Sequence, residues 1–331
     1  MANKKLTQAR KNKNDEFYTQ LTDIEAELKQ YKEHFKGKTV LCNCDDPRVS
    51  NFFHYFAYNF EHLGLKKLIT TCYKSQEADL FSQNNSERAI YLEYTGNKSG
   101  GRIPIPEEIG IKHLKGDGDF RSAECIELLK QSDIVVTNPP FSLFREYVAQ
   151  LTEYDKKFII LGNQNAITYK DIFKLIKENK IWLGASIHNG DREFRVPNTY
   201  NLAKVCRFDE QGNKYIRVRG PRWWTNLDYK LRHEELILYK KYTPEEYPKY
   251  DNYNAINVDK TADIPCDYNG VMGVPITFLD KYNPEQFEIL DLNPHFFSLV
   301  ERGLPKIKQL TLKNAGKKDP FARILIRKRG N

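Results

Sequence analysis

The segment Asn138-Pro139-Pro140-Phe141 follows an apolar stretch and contains the clearest chemical signal in this chain. An amino group conjugated to a ring or a carbonyl is a poor nucleophile, because its lone pair is delocalised. The Asn138 side-chain carbonyl and the Pro139 backbone carbonyl could each accept a hydrogen bond from such a group, since proline keeps the chain extended. Phe141 would offer a ring on which a planar substrate stacks. The alternative is a loop in which Asn-Pro-Pro only ends a strand.

The elements around this segment are predicted from hydrophobic periodicity and capping residues. Helices are predicted at 23–35 (with Asp23 as N-cap and Gly37 as stop), 51–59 (capped by Ser50), 123–130 and 143–151, and strands at 39–44, 67–72, near Ile90, 133–136 and 157–161. Strands that alternate with helices indicate a parallel sheet covered by helices on both faces. Ligands bind beyond the carboxyl ends of the strands in such sheets. Both Asp45–Arg48 and Asn138–Phe141 lie at these ends, which predicts one shared site.

Charge and composition favour, without proving, a polyanionic partner. The chain has 52 lysines and arginines against 44 acidic residues, a net charge of +8, and its aromatic content is 13%. Aromatic rings among basic residues are typical of base stacking, although a tyrosine-rich surface would look the same. The six cysteines form no CxxC pair, so no metal site is expected, and free cysteines favour the cytoplasm. Neither a signal peptide nor an apolar stretch of about 20 residues is present, which predicts no membrane partner.

The amino-acid composition of the chain changes after about residue 190, and basic and aromatic residues dominate from there on. The sequence predicts a flexible basic arm at 1–14, a catalytic domain at 15–190 and a recognition region at 191–331, partly packed on the catalytic sheet. The candidates for nucleic-acid contact in this region are Arg217, Arg219, Arg222, Trp223 and Trp224. Alternation along this segment also fits an ordinary strand with one solvated basic face, and a buried tryptophan pair is the commoner arrangement.

Asn-Pro-Pro-Phe after such a strand resembles the catalytic motif of amino-group methyltransferases. Together with Asp15–Thr19 and Cys42–Pro47, in this order, it makes the chain similar to the EcoRI-type adenine-specific DNA methyltransferase family, from about Asn14 to the region 270–289. The resemblance implies an α/β fold with a doubly wound, mostly parallel, Rossmann-like sheet and an appended C-terminal recognition region. It implies S-adenosylmethionine (SAM) as cofactor, and a flipped adenine in double-stranded DNA as substrate. It also implies a bacterial or phage-infected cell, and leaves open a cognate restriction endonuclease as a partner.

The same resemblance assigns the remaining site residues. Asn138, Pro139, Pro140 and Phe141 would be the catalytic residues. Phe17, Tyr18 and Thr19 would bind the methionine end of SAM, and the loop after the first strand would contribute Cys44, Asp45, Asp46 and Pro47. Asp119 and Phe120 would bind the adenine of SAM, with Asp117 as the alternative acid. Each segment also has a plainer interpretation: aromatic packing at the sheet edge, an Asx-type turn, and a surface turn, respectively.

Two departures from the usual SAM-binding pattern leave alternatives open. The first strand lacks Gly-x-Gly, and the second strand ends in Thr70-Thr71-Cys72-Tyr73 without the acid that usually holds the ribose, so that Glu77 or a backbone group would substitute. One alternative function is methylation of RNA adenine or of protein glutamine, because RNA and protein-glutamine methyltransferases share the form of the tetrapeptide. The other is a methyltransferase-like DNA-binding protein without catalytic activity.

Overall fold

The structure is a computed structural model, and it describes residues 18–44, 46–73, 89–96, 105–188, 190–196, 206–293, 310–312 and 321–330. The described α-helices are α1 Leu21–Leu28, α2 Asn51–Tyr58, α3 Pro106–Ile109, α4 Ala123–Gln131, α5 Phe144–Glu153 and α6 Lys170–Lys177. The described 3-10 helices lie at Lys29–Phe35, Phe141–Leu143, Gln164–Thr168, Lys230–His233, Thr261–Asp263 and Ile276–Lys281.

The strands follow the same chain order. The described strands are β1 Thr39–Cys42, β2 Lys67–Thr71, β3 Ile90–Tyr94, β4 Lys112–His113, β5 Ile134–Thr137, β6 Lys157–Asn163, β7 Trp182–Leu183, β8 Asp191–Val196, β9 Cys206–Phe208, β10 Lys214–Arg219, β11 Pro221–Thr225, β12 Ile256–Asn257, β13 Met272–Pro275, β14 Phe287–Asn293 and β15 Arg323–Lys328.

The chain divides into two compact units, and each unit is built from two separate stretches of the sequence. The first unit is Met1–Gln164 with Asn189–Asp228, and the second is Asn165–His188 with Tyr229–Asn331. The division into a catalytic domain at 15–190 and a recognition region at 191–331 stays a prediction. The arm at 1–14 lies outside the described residues. Within the parts of the chain that the structure describes, no helix has the length and apolar character needed to span a membrane.

Seven strands of the first unit lie side by side in the order β4-β3-β2-β1-β5-β6-β11. The four central strands β2, β1, β5 and β6 are parallel, whereas β3, β4 and β11 pair antiparallel. Helix α2 connects β1 to β2 on one side, and α5 connects β5 to β6 on the other. Right-handed crossovers that run in opposite directions place their helices on opposite faces, so this sheet is doubly wound. The expected α/β fold is confirmed.

The apolar residues that predicted the first helix are buried in the structure. Ile24 and Leu28 of α1, and Tyr31 and Phe35 of the 3-10 turn that continues it, are all fully buried. The expected N-cap, Asp23, is wrong, because α1 begins at Leu21 and Asp23 lies in its first turn, where a carboxylate favours the helix dipole. The Ser50 cap is confirmed: its hydroxyl accepts from the Phe53 N–H at 3.4 Å.

A second, smaller sheet belongs to the same unit. Strands β8, β10 and β9 are antiparallel, and β10 leads through Gly220 directly into β11. One face is apolar, with Phe194, Val196 and Ile216 at 5% exposure or less. Because Pro221 pairs with Asn163 at the end of β6, the smaller sheet leaves the large one at the edge where the parallel strands end.

The second unit has its own sheet, in the order β12-β13-β15-β14. Strand β15 pairs antiparallel with β13 and β14, and the register shifts between Ile289 and Asp291 of β14. In the same unit the Arg232 guanidinium lies 3.8 Å from the centre of the Trp182 ring, and its side chain also hydrogen-bonds the Asn179 amide oxygen. This guanidinium is buried but paired, which limits the cost of its desolvation.

The side chains of β11 that were predicted to contact nucleic acid are buried. Trp223 and Trp224 are 1% and 0% exposed, with their rings against Phe52 and Phe144 respectively. Arg222 is 2% exposed, and its guanidinium donates to the Pro221 carbonyl at 2.9 Å. These three side chains lie inside the first unit and cannot stack on bases or contact phosphates there. Alternation along the strand cannot distinguish a buried strand from a half-exposed one, because the residues that cover its second face come from elsewhere in the chain.

Replacing Trp224 with Ala should lower the free energy of unfolding by about 3–5 kcal/mol, because a fully buried aromatic ring leaves a cavity. Circular dichroism during urea denaturation measures the change. Tyr58→Ala is the matched control, because Tyr58 is 74% exposed in the same unit and should change stability by less than about 0.5 kcal/mol. A Trp224→Ala variant with normal stability but weakened DNA binding would contradict the burial.

Candidate active site

The carboxyl ends of β1 and β5 lie next to each other in the middle of the large sheet. The chain leaves β1 toward β2 on one side, and β5 continues to β6 on the other, so the strand order reverses between β1 and β5. Such a switch point is the ligand-binding crevice of open α/β sheets. The two segments predicted at strand ends, 44–47 and 138–141, therefore come together here.

Asn43, the residue after β1, joins three elements at this crevice. Its backbone carbonyl accepts a hydrogen bond from the Thr137 hydroxyl, and its side-chain carbonyl accepts one from the Tyr147 hydroxyl on α5. Burial raises the pKa of Tyr147 well above its usual value, so this phenol stays protonated and donates. These contacts fix the loop after β1 against the strand and the helix on either side of the Asn-Pro-Pro-Phe tetrapeptide.

The tetrapeptide itself leaves β5 as a short extended segment. Asn138 is 6% exposed, Pro139 is buried and Phe141 is half-buried. The Pro140 carbonyl accepts from the Leu143 N–H at 2.9 Å, which closes the 3-10 turn Phe141–Leu143 before α5 begins. The two prolines prevent a helix from starting at Asn138 and keep its side chain at the strand end.

Helix α5 holds the loop that the sequence assigned to the adenine of SAM. The Gln150 side chain donates to the Phe120 carbonyl at 3.1 Å, and the rings of Phe120 and Tyr147 lie edge to face, 5.0 Å apart. Glu146 pairs with Arg121 at 2.8 Å. Residues 146, 147 and 150 share one face of the helix. The Asn-Pro-Pro-Phe segment and the loop predicted to bind the cofactor are thus joined through a single helix.

Gly118 brings this loop close to the end of β2. Its φ of +77° lies in the left-handed region, and a Cβ there would lie 2.3 Å from the Cys72 carbonyl oxygen, so a larger residue does not fit. The Asp119 carboxylate accepts from the Arg121 side chain at 2.6 and 2.9 Å, and this hydrogen bond raises the pKa of Arg121. Asp119 therefore already has a cationic partner in the position where the sequence predicts contact with the cofactor.

The loop after β1 repeats this arrangement. The Asp46 carboxylate is fully buried and accepts from the Arg48 N–H at 2.9 Å and from two nitrogens of its guanidinium, at 2.5 to 3.2 Å. Cys44 has a φ of 84°, a conformation that normally requires glycine. The tight turn that Gly-x-Gly usually makes is therefore made here by a cysteine in a left-handed conformation.

The segment Tyr18-Thr19, predicted for the methionine end of SAM, is joined to this loop. The Thr19 carbonyl accepts from the Asn51 side-chain amide at 2.7 Å, and the Tyr18 N–H donates to the Arg195 carbonyl at 3.0 Å. Thr19 is 2% exposed, and its hydroxyl oxygen has no hydrogen-bond partner among the described residues. A buried hydroxyl in this state fits an incoming carboxylate, because leaving it unsatisfied costs about 1–3 kcal/mol.

Three of the assigned or alternative cofactor contacts lie outside the described residues: Phe17, Asp45 and Glu77. Asp117, the alternative acid, accepts from the Asp119 N–H at 3.0 Å and so shapes the turn before it.

Arginines converge on the outer face of the smaller sheet. Register places Arg217 opposite Glu193, Arg219 opposite Asp191, and Tyr215 opposite both Arg195 and Arg207. Since alternate residues share a face, four arginines (195, 207, 217 and 219) face outward with two carboxylates (191 and 193). Arg217 pairs with Asp191 at 2.9 Å and Arg207 with Glu193 at 2.8 Å. Exposed ion pairs of this kind are weak, so phosphates could compete for these arginines.

Sequence reasoning assigned no individual role to five residues that organise the site: Asn43, Arg48, Asn51, Arg121 and Tyr147. One signal was available, because a polar Asn43 interrupts an otherwise apolar run. The repeated Asp-x-Arg spacing of 46–48 and 119–121 was a second one. Tyr147 gave no signal, since its contacts are to residues distant in the sequence.

Comparison with known proteins identifies relatives over almost the full length. The family model described as adenine-specific methyltransferase EcoRI matches residues 5–329. The chain is 54% identical to the type II methyltransferase M.EcoRI of Escherichia coli, over 98% of this chain and 96% of the relative. It is 40% identical to the type II methyltransferase M.MpnI of Mycoplasma pneumoniae, over 98% of both chains. No solved structure matches the chain.

The left-handed backbone at Cys44 gives a stability prediction. Cys44→Gly should keep or raise the free energy of unfolding, because glycine removes a conformational cost of about 1–2 kcal/mol. Cys266→Gly is the matched control. Cys266 is a half-buried cysteine without positive φ, so its replacement should lose about 0.5–1 kcal/mol through chain entropy. Urea denaturation of both variants measures the difference, and equal losses would show that Cys44 is not strained.

Proposed function

This chain belongs to the EcoRI family of adenine-specific methyltransferases, and we propose that it transfers a methyl group from SAM to the N6 of a flipped adenine in duplex DNA, at one recognition sequence. The observation that carries the proposal is the position of Asn138. This buried residue directly follows β5 at the switch point of the sheet, next to Thr137, whose hydroxyl donates to the Asn43 carbonyl in the loop after β1.

Asn138 and Pro139 act on the target amine. The Asn138 side-chain carbonyl and the Pro139 backbone carbonyl accept hydrogen bonds from its two N–H groups, which directs the nitrogen lone pair out of conjugation with the ring. Phe141 stacks on the flipped base, and Pro140 keeps the segment extended. Catalysis then depends on orientation and electrostatic stabilisation of the amine, and needs no covalent enzyme intermediate and no metal.

The cofactor would lie between the Tyr18-Thr19 segment and the loop 118–120. The unpartnered Thr19 hydroxyl would hold its carboxylate, and Asp119 with Phe120 would contact its adenine. The adenine amino group would donate to the Asp119 carboxylate beside Arg121, at a side chain that is 21% exposed. When bound, SAM supplies the electrophilic methyl group.

DNA would bind across the outer face of β8 and β10, where Arg217 and Arg219 would neutralise phosphates. This face adjoins the catalytic edge, because β10 continues into β11 beside the end of β6. Phosphate contacts of this kind position the duplex without reading its sequence. We assign the choice of sequence to other residues of 191–331.

The biological role we propose is modification of DNA in the cytoplasm of a bacterium or of a phage-infected cell, with a cognate restriction endonuclease as the partner. The relatives named above are type II methyltransferases, which supports this role. A tritiated-SAM assay with duplex DNA, RNA and protein substrates tests the substrate class, and modification-aware sequencing of host DNA identifies the methylated site. Label on RNA or protein alone, or no SAM binding in calorimetry, would overturn the proposal.

Asn138→Ala should abolish turnover while SAM binding persists, because this side chain contacts the target amine and not the cofactor. Calorimetry with SAM and a single-turnover methylation assay measure the two properties separately. Asn59→Ala serves as control, since its amide donates to the Tyr55 carbonyl at the end of α2 and should leave turnover intact. Full activity of Asn138→Ala would rule out its catalytic role.

The double variant Arg217→Ala and Arg219→Ala should weaken binding to specific and random duplexes alike. It should also flatten the salt dependence, by about 0.9 in the slope of log K against log salt for each phosphate that is no longer neutralised. Salt titrations by fluorescence anisotropy measure both effects. Lys130→Ala is the control, because Lys130 is an exposed, ion-paired cation on α4, outside the region 191–331. Slopes identical to wild type would show that the β8–β10 face does not bind DNA.

A further inference from the structure

Asn51 is the first residue of α2, and its side-chain amide does not serve the helix. Its Nδ2 donates to the Thr19 carbonyl at 2.7 Å, across 32 residues of sequence. The helix is capped instead by Ser50, whose own N–H donates to the Asp46 carbonyl at 2.8 Å. Asn51 is therefore available to hold a second segment.

The turn that leads from β1 into α2, and therefore to Asn51, is rigid. Asp46 is fully buried, and Arg48 binds its carboxylate through the backbone N–H and two guanidinium nitrogens, while Val49 and Ser50 both donate to its carbonyl. A buried carboxylate held by this many donors fixes the turn between β1 and α2. The position of Asn51 is thus set by the strand that ends at the active site.

The segment that Asn51 holds is also bonded to β8, and it carries the Thr19 hydroxyl. Tyr18 bonds the backbone of Arg195 in β8, and the Thr19 hydroxyl, buried and without a hydrogen-bond partner among the described residues, lies next to the carbonyl that Asn51 holds. A displacement of this segment by about 1 Å would move the hydroxyl away from a cofactor carboxylate, and catalytic sites are sensitive to shifts of this size.

We propose that Asn51 is a positioning residue for the cofactor: by holding the Thr19 carbonyl it places the Thr19 hydroxyl against the carboxylate of SAM. The inference rests on the proposed function, because it takes SAM as the ligand. Asn51 does not contact the reacting atoms. Its loss should therefore change cofactor affinity and leave the chemical step intact.

Two substitutions remove the bond in different ways. Asn51→Leu keeps the size of the side chain without a donor. Asn51→Asp keeps the shape, replaces the donor with an acceptor and adds a charge that favours the first turn of a helix, so α2 should remain stable. Asn59→Leu is the matched control, because Asn59 makes the same kind of bond, at 2.9 Å to the Tyr55 carbonyl, just after the last residue of the same helix.

Both Asn51 variants should raise the Kd and the KM for SAM by about three- to tenfold, the range expected for one hydrogen bond. Their kcat at saturating SAM, DNA affinity and unfolding midpoint should stay close to wild type. Isothermal calorimetry with SAM, steady-state kinetics and thermal unfolding measure these quantities, and Asn59→Leu should change neither Kd nor KM. An unchanged SAM affinity in both variants, or equal losses in kcat and stability, would overturn the role of Asn51. Failure of the wild-type protein to bind SAM would instead overturn the proposed function.

Discussion

The pairing of β1 with β5 in parallel determines where every functional segment of the first unit can lie. The two strands end at the same edge, and their connections leave in opposite directions, so no crossover helix covers the space beyond them. Asn43 closes the base of this opening by binding Thr137 and Tyr147. Buried polar atoms of this kind are costly unless each finds a partner, so these contacts select one arrangement of the surrounding loops.

The loops at this edge are held mainly by charge. In both 46–48 and 119–121 an aspartate is bound by the arginine two residues later, through its backbone N–H and its guanidinium. The pair at Asp46 is the stronger restraint, because its carboxylate is fully buried and would otherwise lose hydration without compensation. The pair at Asp119 is more exposed and extends to Glu146, so it links the loop to α5 and contributes less to stability.

The segment around Tyr18 and Thr19 connects two surfaces that perform different tasks. On one side it bonds Asn51 after the turn that follows β1, and on the other it bonds Arg195 in the sheet that carries the exposed arginines. The Arg192 side chain, also in β8, lies 3.5 Å from the Asp23 carboxylate in α1. Burial raises the pKa of Asp23, and the charge of Arg192 partly offsets this rise. The segment predicted to bind the cofactor and the arginine face are thus attached to the same strand.

The sequence by itself determined the class of the fold and the order of the motifs along the chain. These depend on local signals: apolar runs that end in Asn-Pro-Pro or Asp-Asp-Pro, and the Ser50 cap of an aromatic helix. Backbone restriction by proline and side-chain capping act within a few residues, so they can be recognised without knowing what surrounds them.

Only the tertiary structure decided which side chains face the core and which pairs meet. Trp223, Trp224 and Arg222 looked like part of a nucleic-acid surface, but β6, α2 and α5 cover them, and their positions along the sequence do not show this. The contacts of Asn43 with Tyr147 and of Asn51 with Thr19 join residues 104 and 32 positions apart. Burial and hydrogen bonding between distant segments depend on how the whole chain packs, whereas a motif records only its own neighbourhood.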